Sequence, residues 1–201
     1  VVIATHGDSD HIGGLVDLPA RFQVDCAVVP PVLGQSKAAA AWEKAFRESG
    51  IPLVALSRGA SIVVGGKLRL ELLHPPAVGV SGDNADSLVL RVSMGRFSAL
   101  LTGDIDKETE LALLASGQNV SATVLKVAHH GSDTSSSDLF LRQVAPEATV
   151  ISVGADNKAG HPRQQVIDNL AAVDARMLRT DQQGTIRFST DGAVYYIRTE
   201  H

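Results

Sequence analysis

Short apolar runs rich in β-branched residues recur along the chain, and several of them are apolar at almost every position. Runs of this kind are typical of strands buried on both faces of a sheet. Helical stretches separate some of them, so the pattern predicts a layered α/β or α+β sandwich. The predicted strands are 1–5, 24–30, 68–73, 87–92, 97–101, 123–128, 149–153, 176–179, 185–188 and 194–198. The predicted helices are 37–48, 107–115, 137–144 and 162–172, the last with a proline in its first turn.

Histidine and aspartate residues follow four of the predicted strands. The segment 6–11 follows the first strand, Asp104 follows the strand 97–101, and His129 and His130 follow the strand 123–128. His161 comes after a short loop that leaves the strand 149–153. Five of the seven histidines of the chain take part. The carboxyl ends of strands in layered α/β sheets are where ligands bind, so these side chains are candidates for one site.

These residue types predict a site for two divalent cations. Imidazole together with carboxylate suits zinc or manganese, and the single cysteine of the chain excludes a thiolate site. Two ions about 3.5–4 Å apart activate a water and clamp the negative oxygens of a phosphoester. The six predicted ligands are His6, Asp8, Asp10, His11, Asp104 and His161.

Each motif alone also has a structural interpretation. A histidine after a strand is usually a polar loop residue, "TGD" is usually a turn, and "DSD" alone can cap a helix. The joint occurrence of four clusters after four apolar strands favours the metal site. Gly13 and Gly14 are predicted to let the backbone pass close by without a Cβ clash. Trp42 and Phe46, four residues apart on a helix, are predicted to be core residues instead of a platform for nucleic-acid bases.

Charge and hydropathy limit the partners. The net charge of −4 argues against binding nucleic acid through a broad basic surface, although a metal ion can still contact phosphate. The chain has no run of 18 apolar residues and no recognisable signal peptide. It opens inside an apolar strand, so we expect one domain over residues 1–201, an N-terminally truncated fragment of a larger protein.

Five motifs carry a family resemblance. They lie at residues 6–14, 84–90, 100–104, 125–132 and 152–162, and they read "HGDSDHIGG", "NADSLVL", "LLTGD", "LKVAHHGS" and "SVGADNKAGHP". The first resembles the metallo-β-lactamase signature H-x-H-x-D-H, with Asp8 where the second histidine usually stands. Together the five motifs resemble the C-terminal metallo-β-lactamase-fold hydrolase domain of ComEC-type DNA internalization competence proteins. The full set is specific, whereas any single motif is weak.

The resemblance implies a metallo-β-lactamase-like αββα four-layer sandwich, here lacking its first strands. It implies two divalent ions, zinc or manganese, and a phosphodiesterase or nuclease that hydrolyses the non-imported DNA strand during natural transformation. The implied partners are DNA, single-stranded, as substrate and the parent membrane channel domain, with no stable oligomer. The fragment itself is expected to be soluble, and the parent protein to hold it at the membrane, facing the cell exterior or periplasm.

The resemblance also implies roles for individual residues. His6 and Asp8 would ligate one ion, Asp10 and His11 the other, with Asp104 bridging and His161 completing a shell. One histidine of the pair His129 and His130 would face the scissile phosphate as a proton donor or charge-stabilising donor, and His130 is preferred. The other would complete the metal shell or pack structurally.

Two assignments stay open between alternatives. The superfamily normally has a further histidine ligand between the first motif and the bridging aspartate. Asn84 matches that place, as a weak ligand or a substrate contact, and His74 is the rival, otherwise a histidine at a strand end. Ser132 is predicted to contact substrate phosphate, and the alternative for its serine cluster is helix capping by Ser135 or Ser136.

Two other functions compete with DNA hydrolysis. One is a phosphocholine esterase or another hydrolase of small phosphodiesters on the same fold, which suits the acidic composition. The other is a non-catalytic module that binds DNA or gates a channel, with metals serving stability alone. The complete set of candidate ligands and proton donors favours an enzyme.

Overall fold

The computed structural model describes residues 1–201 and contains twelve β-strands and seven α-helices. The strands are β1 (Val2–Ile3), β2 (Ala27–Val29), β3 (Leu53–Ala55), β4 (Ser61–Val64), β5 (Leu68–His74), β6 (Val89–Met94), β7 (Phe97–Leu101), β8 (Val124–Lys126), β9 (Ala148–Ile151), β10 (Arg176–Arg179), β11 (Ile186–Thr190) and β12 (Tyr195–Thr199). The helices are α1 (Ser9–Ile12), α2 (Leu18–Arg21), α3 (Lys37–Glu48), α4 (Lys107–Ala115), α5 (Asp138–Val144), α6 (Gln164–Ala171) and α7 (Thr180–Gln183).

All ten predicted strands and all four predicted helices are present, with shifted ends in most cases. Strands β3 and β4 and helices α1, α2 and α7, each of three or four residues, were not predicted. The prediction that a proline lies in the first turn of α6 is wrong. Arg163 occupies the N-cap position, so Pro162 precedes the helix.

The first of two compact units comprises residues 1–60 and 72–89. Its parallel sheet has the order β1-β2-β3. Helix α3 is amphipathic and is capped by Ser36, whose hydroxyl accepts a hydrogen bond from the Ala39 amide. Trp42 and Phe46 are 0% exposed, with ring centroids 4.3 Å apart. The prediction that both are core residues is therefore confirmed.

The second unit comprises residues 61–71 and 90–201. Its seven-stranded sheet has the order β10-β9-β8-β7-β6-β5-β4, and β11 and β12 form a separate antiparallel hairpin. Strands β7, β8, β9 and β10 pair in parallel. Because parallel strands end at the same edge of a sheet, the loops that follow β7, β8 and β9 leave from one edge. The candidate residues Asp104, His129, His130 and His161 lie in those loops.

No α-helix has the length and apolar character needed to cross a bilayer. The expectation of a single domain over residues 1–201 stays a prediction.

Candidate metal centre

Asp8 lies where the chain leaves β1 and enters α1. It occupies the N-cap position with extended backbone, and its carbonyl accepts hydrogen bonds from the amides of His11 and Ile12. Its side chain makes no capping hydrogen bond. Instead, its Oδ2 lies 3.9 Å from Nε2 of His6. The carboxylate is thus directed at an imidazole and does not cap the helix, which supports the ligand interpretation of "DSD".

His6 is buried, and its hydrogen bonds fix which ring nitrogen is protonated. Nδ1 lies 3.1 Å from Oγ1 of Thr5 and 3.2 Å from Oγ of Ser87. The Ser87 hydroxyl donates its proton to the Asn84 carbonyl at 2.7 Å, so toward His6 it acts as an acceptor. His6 therefore carries its proton on Nδ1 and presents the lone pair of Nε2 on the side of Asp8. Metal-ligating histidines are oriented in this way.

The sequence alone did not predict a function for Ser87. The only available signal was its place in the motif "NADSLVL", where it reads as the first residue of a strand. Its importance arises from contact with a histidine far away in the sequence.

Asp10 and His11 lie on the single turn of α1. Their ligand atoms lie within 4.8 Å of each other, and Nε2 of His11 is 3.8 Å from Oδ2 of Asp10. The rings of His6 and His11 pack with centroids 4.1 Å apart. The structure thus brings together all four predicted ligands of the first motif.

Gly7 is the glycine that the first motif needs. A Cβ at this position would overlap the carbonyl oxygen of Leu33 and lie 3.2 Å from the Cβ of Ala39. Ser36 donates a hydrogen bond to the Gly7 carbonyl at 2.5 Å. The prediction for Gly13 and Gly14 is wrong, since a Cβ on either would meet no atom within 4 Å.

The two candidates for the third ligand position lie in the same unit. Nε2 of His74 is 2.9 Å from the Ala85 carbonyl, so this nitrogen donates a proton and ties the strand end to the following loop. That contact supports the structural interpretation of His74. Asn84 begins a 3₁₀ turn, Asn84–Asp86, and its carbonyl accepts hydrogen bonds from Ser87. A role of its side chain as a weak ligand or substrate contact stays a prediction.

In the second unit, Asp104 follows β7 and is 3% exposed. Two hydrogen bonds tie the loop that carries it to the last residue of β8 and to the turn that follows β8. Oγ1 of Thr102 donates to the Lys126 carbonyl at 2.7 Å, and the His129 amide donates to the Gly103 carbonyl at 3.2 Å. The aspartate and the two histidines are therefore held by the same pair of parallel strands.

His130 is fixed between a carbonyl and the Asp104 carboxylate. Its Nδ1 lies 2.7 Å from the Ser152 carbonyl and so donates a proton, and its Nε2 lies 3.4 Å from Oδ2 of Asp104. The hydrogen bond to Asp104 raises the pKa of His130, the Ser152 carbonyl adds to the rise, and burial opposes it. The ligand atoms of the two side chains lie within 4.8 Å of each other.

His129 and His130 point in different directions because the backbone turns left-handed at both. Their φ values are 49° and 54°, and Gly131 follows with a φ of 84°. The His129 ring lies 6.0 Å from the ring of His161, and its Nδ1 is 3.3 Å from Oγ1 of Thr134. The structure thus pairs His130 with Asp104, and His129 with His161.

His161 is held by Asn157, which accepts a hydrogen bond from its amide and donates one to its carbonyl, both at 2.9 Å. Its Nδ1 is buried without a hydrogen-bond partner. Burial lowers the pKa of His161, and the charge of Arg163 lowers it further. Both effects favour the neutral imidazole, and a neutral ring with a nitrogen that has no partner fits a ligand or a group that handles protons. The assignment of His161 to the metal shell stays a prediction.

Ser132 is nearly buried, and its Oγ lies 3.0 Å from Oγ1 of Thr134. Helix α5 is capped by Ser137, whose hydroxyl accepts from the Phe140 amide. The alternative in which Ser135 or Ser136 caps this helix is therefore wrong. Contact of Ser132 with substrate phosphate stays a prediction.

The donors fit divalent cations. His6 and His130 each use Nδ1 in a hydrogen bond, as metal-ligating histidines usually do, which leaves Nε2, on the side of a carboxylate, to face an ion. Imidazole and carboxylate oxygen together suit borderline ions such as zinc or harder ones such as manganese.

The profile of the Metallo-beta-lactamase superfamily matches residues 1–155. ComE operon protein 3 of Bacillus subtilis is 36% identical over 187 residues, which cover 93% of this chain and 24% of that protein. Competence protein ComA of Neisseria gonorrhoeae is 41% identical over 119 residues, which cover 59% of this chain and 17% of that protein. Recombination protein 2 of Haemophilus influenzae is 34% identical over 120 residues, which cover 60% of this chain and 15% of that protein. The chain thus spans about a quarter or less of these relatives.

Two solved structures share the fold. Tm1679, described as a metal-dependent hydrolase of the beta-lactamase superfamily, matches with a TM-score of 0.52 and 15% identity over 89% of this chain and 75% of that one. A mutant of CmlA beta-hydroxylase matches with a TM-score of 0.55 and 13% identity, covering 88% and 42%. The predicted mixed α/β fold and the resemblance to ComEC-type proteins are confirmed. This chain belongs to the metallo-β-lactamase superfamily, whose members are generally metal-dependent hydrolases, and its relatives are ComEC-type competence proteins.

Proposed function

We propose that the chain is a metal-dependent phosphodiesterase that hydrolyses the non-imported DNA strand during DNA uptake. The observation that carries the proposal is that His6 and His130 have the same pattern of contacts at their two ring nitrogens. Each has Nδ1 occupied by a hydrogen bond and Nε2 directed at a carboxylate. The superfamily implies divalent metal ions, and the competence relatives make DNA the substrate to test.

The ligand set follows the family motif, with one change of role. His6 and Asp8 would hold one ion, Asp10 and His11 the other, and Asp104 would bridge. We assign His130 to the shell that His161 was expected to complete, because His130 lies 3.4 Å from Asp104. Two ions held by these residues would supply a water of lowered pKa and would offset the negative charge of the scissile phosphate.

His129 and His161 then remain for proton transfer. Their rings lie 6.0 Å apart, and neither forms part of the Asp104–His130 pair. We assign to His129 the donation of a proton to the leaving oxygen, and to His161 a supporting contact with the phosphate. Asn84 and Ser132 are retained as proposed substrate contacts.

Asp8 bears on the identity of the metal. An aspartate where the superfamily usually has a histidine makes the ligand set of the ion held by His6 and Asp8 harder and more anionic, so manganese competes with zinc there. We also propose that the domain is joined to a membrane channel domain in the parent protein, faces the cell exterior or periplasm, and acts on single-stranded DNA without forming a stable oligomer.

The test is cleavage of labelled single-stranded DNA by residues 1–201 during titration with manganese and with zinc. We expect Asp104→Ala to abolish metal loading and hydrolysis together. We expect His129→Ala to abolish hydrolysis and keep the metals. His201→Ala, which removes an exposed histidine at the chain end, is the matched control and should behave as the unaltered protein.

Two results would contradict the proposal. Metal-loaded protein that cleaves no nucleic acid excludes a nuclease. Full biological activity in both Asp104→Ala and His129→Ala would favour a non-catalytic module.

A small-molecule hydrolase is the second candidate, because the net charge of −4 suits a small substrate better than a polymer. Faster turnover of bis-p-nitrophenyl phosphate or phosphocholine esters than of oligonucleotides would favour it.

A further inference from the structure

Helix α4 contains a buried carboxylate that has no part in the proposed metal or proton-transfer sets. Glu110 is 0% exposed. Its Oε1 accepts a hydrogen bond from the Ser136 amide at 2.5 Å, and its Oε2 accepts one from the Ser137 amide at 2.9 Å. Bonds from backbone amides to a carboxylate are stronger than bonds between neutral groups. One side chain thus holds two successive residues of the loop that joins the left-handed turn at His129 and His130, called the histidine turn below, to α5.

The loop leads back to the histidine turn through Ser135. This serine is 1% exposed, and its hydroxyl lies 3.2 Å from the Ala128 carbonyl and 3.1 Å from the Ser132 carbonyl. Ala128 immediately precedes His129 in the chain. A buried polar path therefore runs from Glu110 through Ser136 and Ser135 to the start of the turn.

The turn needs support of this kind. Two consecutive residues other than glycine with positive φ carry a conformational cost, and such backbone persists only where its surroundings over-determine it. The loop is held on other sides as well. The Lys107 amide donates to the Thr134 carbonyl at 2.8 Å, and Nδ2 of Asn169 donates to the Ser136 carbonyl at 3.0 Å.

We propose that Glu110 is a positioning residue that holds the turn at His129 and His130 in its left-handed conformation, acting through the backbone of Ser136 and the hydroxyl of Ser135. The consequence for hydrolysis rests on the proposed function. The consequence for the backbone does not.

The kinetic test compares Glu110→Gln and Ser135→Ala with Glu108→Gln, an exposed glutamate on the same helix. Glutamine keeps one acceptor oxygen but places its NH₂ group opposite the second backbone N–H, so one of the two hydrogen bonds is lost. We expect kcat to fall by about a hundredfold in Glu110→Gln, since misplacing a reacting group by 1 Å costs about that factor, with KM nearly unchanged. The kcat of Ser135→Ala should also fall, and the kcat of the double variant should be no lower than that of the more impaired single variant. Glu108→Gln should match the unaltered protein.

The second readout is amide hydrogen exchange of Gly131 and Ser132 in metal-free protein. Exchange should be faster in Glu110→Gln and in Ser135→Ala, and unchanged in Glu108→Gln. Unaltered kcat and exchange, accompanied only by a lower melting temperature, would overturn the inference. A loss of kcat in the double variant equal to the product of the two single losses would also overturn it, because the two residues would then act independently.

The inference can be separated from the proposed function. A wild-type protein without hydrolase activity defeats the proposed function, and the exchange rates then decide the inference alone. If Glu110→Gln does not fold, Ser135→Ala decides it, because this change removes only one hydroxyl.

Discussion

Ser87 and His6 meet inside the first unit, with Oγ of the serine 3.2 Å from Nδ1 of the histidine. The serine donates its own proton to the Asn84 carbonyl. The contact therefore determines both the orientation of the His6 ring and the nitrogen that stays unprotonated.

Ser87→Ala should weaken metal binding. Loss of a hydrogen-bond partner behind a ligating histidine lowers metal affinity by about 10- to 100-fold. Competition with a chromophoric chelator measures the change. Ser98→Ala is the matched control, since Ser98 is also buried and its hydroxyl accepts from the Thr123 amide. Equal metal affinity in the two variants would contradict the role of Ser87.

Gly7→Ala should destabilise the fold, because the added methyl overlaps the Leu33 carbonyl oxygen. Overpacking of this kind costs about 1–3 kcal/mol. Gly13→Ala is the control. Gly13 has helical backbone and open space around it, so alanine should raise the free energy of unfolding by about 0.4–1 kcal/mol. Urea denaturation measures both, and equal effects would refute the close approach at Gly7.

Thr149→Val should stabilise the second unit. The Thr149 side chain is fully buried, and its Oγ1 has no hydrogen-bond partner. Removing an unsatisfied buried hydroxyl should gain about 1 kcal/mol. Thr102→Val is the opposite case, because Oγ1 of Thr102 donates to the Lys126 carbonyl. Its loss should cost about 0.5–1.5 kcal/mol. The two free energies of unfolding should shift in opposite directions.

Glu110 should make stability depend on pH. Burial raises the pKa of its carboxyl above the ordinary 4.5, opposed by hydrogen bonds from Ser137 and Ser136 and by the charge of Lys107. A raised pKa in the folded state adds stability that is fully present below about 4.5 and is lost as the pH rises through the raised pKa. Relative to Glu110→Gln, the unaltered protein should therefore lose stability across that window.

Urea denaturation of both proteins at several pH values measures this difference. A relative gain of stability by the unaltered protein with rising pH would show that the folded state prefers the ionised carboxylate.

The helices with strong end signals were the most predictable elements. The bounds of α3 and α4 match the predictions because Ser36 and Asp106 cap them at the start, and Gly50 and Gly117 follow their ends. Caps and glycines are local signals, so a single sequence contains them.

The place of the candidate residues in the fold was also predictable, because each follows a strand, directly or after a short loop. The pairing of the histidines was not. Which of His129, His130 and His161 accompanies Asp104 depends on a left-handed turn that separates two adjacent side chains. Glu110 and Ser87 act on residues distant in sequence, so no local pattern marks them.

The left-handed turn also limits how these two positions can evolve. Backbone with positive φ strongly disfavours β-branched and bulky apolar side chains, and it is adopted most readily by glycine, asparagine, aspartate and histidine. Three of those four have side chains able to bind a cation or exchange a hydrogen bond. The backbone at residues 129 and 130 therefore favours a small group of residues, most of which can also bind a cation or exchange a hydrogen bond, independently of selection on activity.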